Sequence, residues 1–98
     1  MTLRIRPEAG LDIVEAARWY ESREPGLGLA LVAELQIVLD RIIAGPERYQ
    51  RAYGRLRRVR TRRFPYILYF SEEGDDVIVF AVLHQRRNRT VLDERLKD

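Results

Sequence analysis

The stretch YILYFSEEGDDVIVFAVLH, running from Tyr66 to His84, decides the fold. Tyr66–Ser71 and Asp76–His84 are rich in β-branched and aromatic residues, and Glu73-Gly74-Asp75 between them supplies turn chemistry. That pattern predicts an antiparallel hairpin. Val77–Leu83 is apolar on both faces, as in a strand covered from both sides or central in its sheet. Immediately upstream, Pro65 marks a strand start or edge, and Arg55–Arg60 alternates with period two, predicting a third strand. Tyr49–Gly54 reads as a loop.

Further upstream the period becomes helical. A helix is predicted from about Gly28 to Ala44, with Leu29, Val32, Leu35, Leu39, Ile42 and Ile43 as its apolar face and Gly45-Pro46 as its stop. Another is predicted over about Glu8–Ser22, where Ile13, Ala16, Ala17 and Tyr20 form one stripe and Asp12, Glu15 and Arg18 lie away from it, on an exposed face. Pro25-Gly26 joins the two, implying an antiparallel helical hairpin. Thr2–Arg6 is a short strand with Leu3 and Ile5 on one face, and Thr90–Lys97 a short terminal helix. The order β-α-α-β-β-β predicts an α+β fold: a small, mainly antiparallel sheet with the two-helix hairpin packed on one face. The other face is expected to stay partly open and to present arginines. The 98 residues are expected to form a single domain, 1–98.

Charge is uneven. The net charge is +3, but residues 1–47 carry five Arg against eight acids, whereas residues 48–98 carry twelve Arg and one Lys against seven. Between Arg48 and Arg63 there are eight Arg and no acid. Arg pairs bidentately with carboxylate or phosphate, so an anionic partner is implied. The competing reading is a set of solvated strand faces. Cysteine is absent, which removes disulfides, thiolate metal sites and cysteine nucleophiles. With one histidine and no cysteine, no metal ligand set has the right spacing, and no cofactor is expected. Gly26-x-Gly28 lacks the preceding strand that a phosphate-binding loop needs. Met1–Ala9 has no apolar run, so no signal peptide is expected, and a cytoplasmic location and no membrane partner follow.

Four motifs stand in order along these elements. Trp19-Tyr20 comes late in the first helix and Pro25-Gly26-Leu27-Gly28 at the turn. Gly45-Pro46-Glu47-Arg48-Tyr49 follows the second helix. Arg62-Arg63-Phe64-Pro65-Tyr66-Ile67-Leu68-Tyr69 leads into the hairpin, which ends in His84-Gln85-Arg86-Arg87. Together they resemble the ParE/RelE superfamily of type II toxin–antitoxin toxins, the family of plasmid stabilisation proteins. The resemblance implies a growth-inhibiting toxin neutralised by a cognate antitoxin protein, and it allows a heterotetramer with that antitoxin. ParE-type members resemble gyrase poisons; RelE-type members resemble ribosome-dependent mRNA endonucleases. The expected target is therefore DNA gyrase, or the ribosome and mRNA.

Metal-free RNA cleavage needs a base, an acid and cations at the phosphorane. If this chain were a nuclease, Arg58, Arg60, His84, Arg86 and Arg87 would carry the chemistry. His84 has the reference pKa for the task, although a strand-end histidine bonded to backbone is an equally good reading. No tyrosine follows Tyr69, and Tyr66 or a neighbour stands where RelE-like members carry Arg, so the resemblance to the nuclease is incomplete. The leading expectation is a ParE-like toxin acting by binding, with Arg55, Arg57, Arg58, Arg60, Arg62, Arg63 and Arg89 contacting antitoxin or target. The alternatives are the endonuclease and a non-toxic nucleic-acid-binding remnant. Trp19, Tyr20, Tyr66 and Tyr69 are candidates for stacking on bases, and otherwise for the core.

Overall fold

In the computed structural model, which describes residues 2–87 and 89–97, the stretch from Tyr66 to His84 forms the centre of a five-stranded sheet. The strands are β1 (Thr2–Ile5), β2 (Arg51–Tyr53), β3 (Leu56–Arg60), β4 (Tyr66–Glu73) and β5 (Asp76–His84), in spatial order β1-β5-β4-β3-β2. All neighbours are antiparallel except β1 and β5, which pair in parallel. The two tight hairpins share one device. Gly54 and Gly74 open two-residue connections at φ 56° and 62°, values that a side chain would disfavour.

Helices α1 (Pro7–Arg23) and α2 (Leu27–Ala44) pack on one face of the sheet, as the periodicity predicts. Pro7 starts α1 where a missing N–H costs nothing. The link between the helices is held from α1: the Glu21 carboxylate accepts the N–H groups of Gly26 (2.9 Å) and Gly28 (3.0 Å), capping α2. A Cβ on Gly28 would sit 2.6 Å from the Ala17 carbonyl oxygen, so glycine permits this close crossing. The core under the hairpin is built from Ala16, Leu31, Leu35, Val38, Leu39, Ile42, Leu68, Phe70, Val77, Val79 and Val82.

Three expectations are corrected here. Leu29 and Val32 are 75% and 42% exposed, and Leu31 and Val38 take the core positions instead. Because α2 is apolar nearly all round, its spacing alone does not select the inner face. The expected loop over 49–54 contains β2, an edge strand on β3. Finally, the second face of the sheet is not left open, because α3 (Thr90–Leu96) lies across it. Leu92 is wholly buried there against a second core that includes Leu56, Tyr69, Ile78, Phe80, Ala81 and Leu83.

A bulge in the central hairpin determines which side chains share a face. Tyr69 pairs with Ala81 and Phe70 with Val79, so Phe80 is an extra residue. Up to Val79, odd-numbered residues of β5 face the helices; beyond the bulge, even-numbered ones do. Phe80 and Ala81 both belong to the core under α3, while Val82 returns to the helical side.

Beyond Ile5, where β1 stops, the edge of β5 is satisfied by side chains. Asp12 on α1 accepts the Val82 N–H at 2.9 Å, and Arg95 on α3 donates to the Phe80 carbonyl at 3.0 Å. The two are also joined as a bidentate ion pair, with one contact at 2.9 Å. Their side chains are only 9% and 15% exposed, so the expectation of an exposed Asp12 is wrong. The pair holds the Arg95 guanidinium above its ordinary pKa, chiefly through the hydrogen bond to Asp12.

Candidate functional site

The bulge has a direct consequence for the residues that would carry cleavage. Arg58 and Arg60 pair opposite Tyr69 and Ile67, side chains of the α3 face, and so belong to that face. His84, two residues past Val82, falls on the helical face, where its ring meets that of Tyr66 edge-on at 5.5 Å. The sheet thus separates His84 from Arg58, whereas the side chain of Arg60, at the end of β3, reaches Gln85 beside His84 and the groove on the α2 side. Without the extra residue at Phe80, His84 would share the side of Arg58. His84 Nδ1 accepts the Arg86 N–H at 3.1 Å, the backbone role that competes with catalysis in the sequence. This bond leaves the proton of the neutral ring on Nε2. Arg86 and Arg87 lie in the turn after β5, with both side chains free of hydrogen bonds and ion pairs among the described residues. Arg87 is near His84, since both line the cavity described below, and Arg60 bonds Gln85 in the same turn.

The seven arginines expected at a binding surface divide into two groups. Arg57 is a structural residue, pairing with Glu72 at 3.0 Å and donating to the Tyr49 carbonyl. Arg55 lies over the Phe80 ring and pairs with Glu73, and Arg89 lies over the Tyr53 ring beside α3. The Tyr53 hydroxyl donates to Asp93, and that bond, more than any other cause, raises the Tyr53 pKa. All of the seven except Arg57 are exposed, and Arg58, Arg60, Arg62 and Arg63 lie on β3 and the loop after it.

Three of these exposed residues meet in a groove of about 460 Å3 between α2 and β3. Its floor is apolar, with Ala30, Ala33, Ile37, Val38, Tyr49 and Val59, and Arg41, Arg60, Arg62 and Arg63 stand around it. Ile37 is 51% exposed, so the floor offers an aliphatic surface to solvent. Glu34 is the one acid in the lining, and it is occupied: its carboxylate accepts the backbone N–H groups of Arg62 and Arg63. That contact fixes the loop and leaves four arginines against one carboxylate around the groove. Sequence reading identifies Arg60, Arg62 and Arg63 but misses Arg41 and the floor, because Ile37 and Ala33 lie outside the expected apolar stripe.

The aromatic candidates separate similarly. Tyr69 is core. Trp19, Tyr20 and Tyr66 line a cavity of about 310 Å3 between α1 and the ends of β4 and β5, together with Asp12, Glu15, His84 and Arg87. Burial, and then the neighbouring Tyr20, hold the Tyr66 phenol above its ordinary pKa, so it stays protonated.

Among the described residues no group of three or more His, Asp or Glu is placed to hold a metal ion, and no helix is long and apolar enough to cross a membrane. No curated protein matches the sequence significantly. Among solved structures the chain is similar to one from the "Chromosomal ParDE TA system from P. aeruginosa", at 15% identity and a TM-score of 0.77, over 86% of this chain and 95% of that one. At that identity the likeness establishes the fold. Residues 3–89 match the family described as "ParE toxin of type II toxin-antitoxin system, parDE". With the match running through both long helices and all five strands, the chain belongs to the ParE toxin family of type II toxin–antitoxin systems.

Proposed function

We propose that the chain inhibits growth by binding its target rather than by cutting RNA, and that a cognate antitoxin neutralises it. The observation that carries the reading is the separation of His84 from Arg58 across the sheet. General base and phosphorane-stabilising cations must converge within hydrogen-bond reach of one phosphate; Arg58 is held on the other face of the sheet, and His84 Nδ1 is already engaged by the Arg86 N–H. DNA gyrase is the target the family membership favours, and the cytoplasm the compartment where it is met.

The antitoxin is assigned to the groove between α2 and β3. An apolar floor with four arginines around it fits an amphipathic segment that seats aliphatic side chains and directs carboxylates outward. Expression of the chain alone should arrest growth, with filamentous cells and an induced DNA-damage response. Co-expression of the antitoxin should restore growth. Sequencing of mRNA 5′ ends from arrested cells should show no new cuts. Codon-positioned cuts would establish the nuclease instead, and undisturbed growth with folded protein present would mark a non-toxic remnant.

A further inference from the structure

The cavity between α1 and the ends of β4 and β5 is unused by either role above, and its lining has an unusual composition. One wall is a run of rings in edge-to-face contact: Trp19 to Tyr20 at 4.9 Å, Tyr20 to Tyr66 at 6.2 Å and Tyr66 to His84 at 5.5 Å. Trp19 is 51% exposed, although its partner Tyr20 is packed against the core. Besides Asp12, two charged side chains stand in the lining: Glu15 from α1 and Arg87 from the turn after β5. Neither makes a hydrogen bond or ion pair among the described residues, although Glu15 is near enough to Arg95 to help hold that guanidinium charged. The other carboxylate, Asp12, is fully engaged by Arg95 and the Val82 N–H.

These features restrict the ligand. An anion alone would meet the free Glu15 carboxylate, and a cation alone would meet Arg87. A neutral heteroaromatic ring carrying a phosphate satisfies both, with the ring against the aromatic wall and the phosphate at Arg87. The free carboxylate then selects among bases. It only accepts hydrogen bonds, and guanine is the base that offers two adjacent donors, N1–H and the exocyclic amine, on one edge. Adenine and cytosine each place an acceptor beside their amine, which would face the carboxylate unfavourably. Arg86, next to Arg87 and also free, would extend the phosphate contact.

We propose that this cavity is a guanine site, with Glu15 reading the Watson–Crick edge, the aromatic wall stacking the base and Arg87 holding its phosphate. The site lies apart from the antitoxin groove and does not depend on that assignment. The ligand is either a free guanine nucleotide or a guanine in a single strand.

Trp19 is the only tryptophan, so its fluorescence reports on the cavity directly. Purified chain is titrated with GMP, AMP and CMP, and with two short single-stranded RNAs, all-uridine and the same with one guanine, each corrected against free tryptophan amide. Saturable quenching by GMP, at least about tenfold tighter than by AMP or CMP, is expected. Glu15→Gln should remove that preference, and Arg87→Ala should weaken GMP relative to guanosine, both variants keeping the parent circular dichroism. Response to GMP identifies a free nucleotide as sufficient, whereas response only to the guanine-bearing RNA places the base in a strand. No saturable quenching by either, quenching indifferent to the base, or a preference that survives Glu15→Gln would overturn the proposal.

Discussion

Asp12 and Arg95 stand 83 residues apart in sequence, yet together they complete the β5 edge that β1 leaves unpaired. Burying such a pair is costly, and losing one partner is costlier still, because the other charge stays buried alone. Asp12→Ala should therefore destabilise the fold by about 3–5 kcal/mol, read from urea denaturation, because it also strands the Val82 N–H. Asp12→Asn, which keeps an acceptor, should cost less. At Tyr66, burial raises the phenol's pKa in the folded state above the ordinary 10.0. The unfolded chain then ionises first as pH rises, so the stability this residue contributes is complete below pH 10 and lost above it. Urea midpoints measured through that range should fall, and Tyr66→Phe should make the fall shallower.

At the scale of elements, the β4–β5 hairpin and both long helices are legible in the sequence because each has a clear period bounded by Gly or Pro, whereas β2 is too short to show one. What is not legible has identifiable causes. The α2 segment offers more apolar positions than one face can bury, so Leu29 and Leu31 cannot be ranked by spacing. The bulge at Phe80 lies within Val77–Leu83, where every residue is apolar and none marks the shift in register. A sequence reading consequently groups His84 with Arg58, which lies on the opposite face. The Asp12–Arg95 pair is invisible because helical spacing sees neighbours three or four residues away, not a partner on another element. The tight helix crossing, by contrast, is marked in sequence by Gly28. Gly28→Ala should push its methyl into the Ala17 carbonyl and force the helices apart, at about 1–3 kcal/mol, lowering the thermal midpoint measurably. The same substitution at Gly10, where a Cβ meets nothing within 4 Å, serves as the control.

Over the whole molecule, the charge asymmetry in the sequence becomes a division of surfaces. Of the arginine-rich half, Arg57 is tied into the fold by Glu72 and the Tyr49 carbonyl, whereas Arg58, Arg60, Arg62 and Arg63 present their side chains to solvent. Removing Arg62 and Arg63 together by alanine should weaken the antitoxin complex by at least about tenfold, mainly through slower association and with a shallower salt dependence. Removing Arg4 and Arg18, outside the groove, should leave affinity nearly unchanged; titration calorimetry and stopped-flow at two salt concentrations distinguish the cases. The parallel pairing of β1 with β5 has a further consequence, for the order of assembly during synthesis. The first strand can find its neighbour only after residues through Val79 have emerged, and Asp12 can find Arg95 later still. A growing chain thus carries its two amphipathic helices before it has the sheet that buries them, so the finished fold is reached only after Arg95 has emerged.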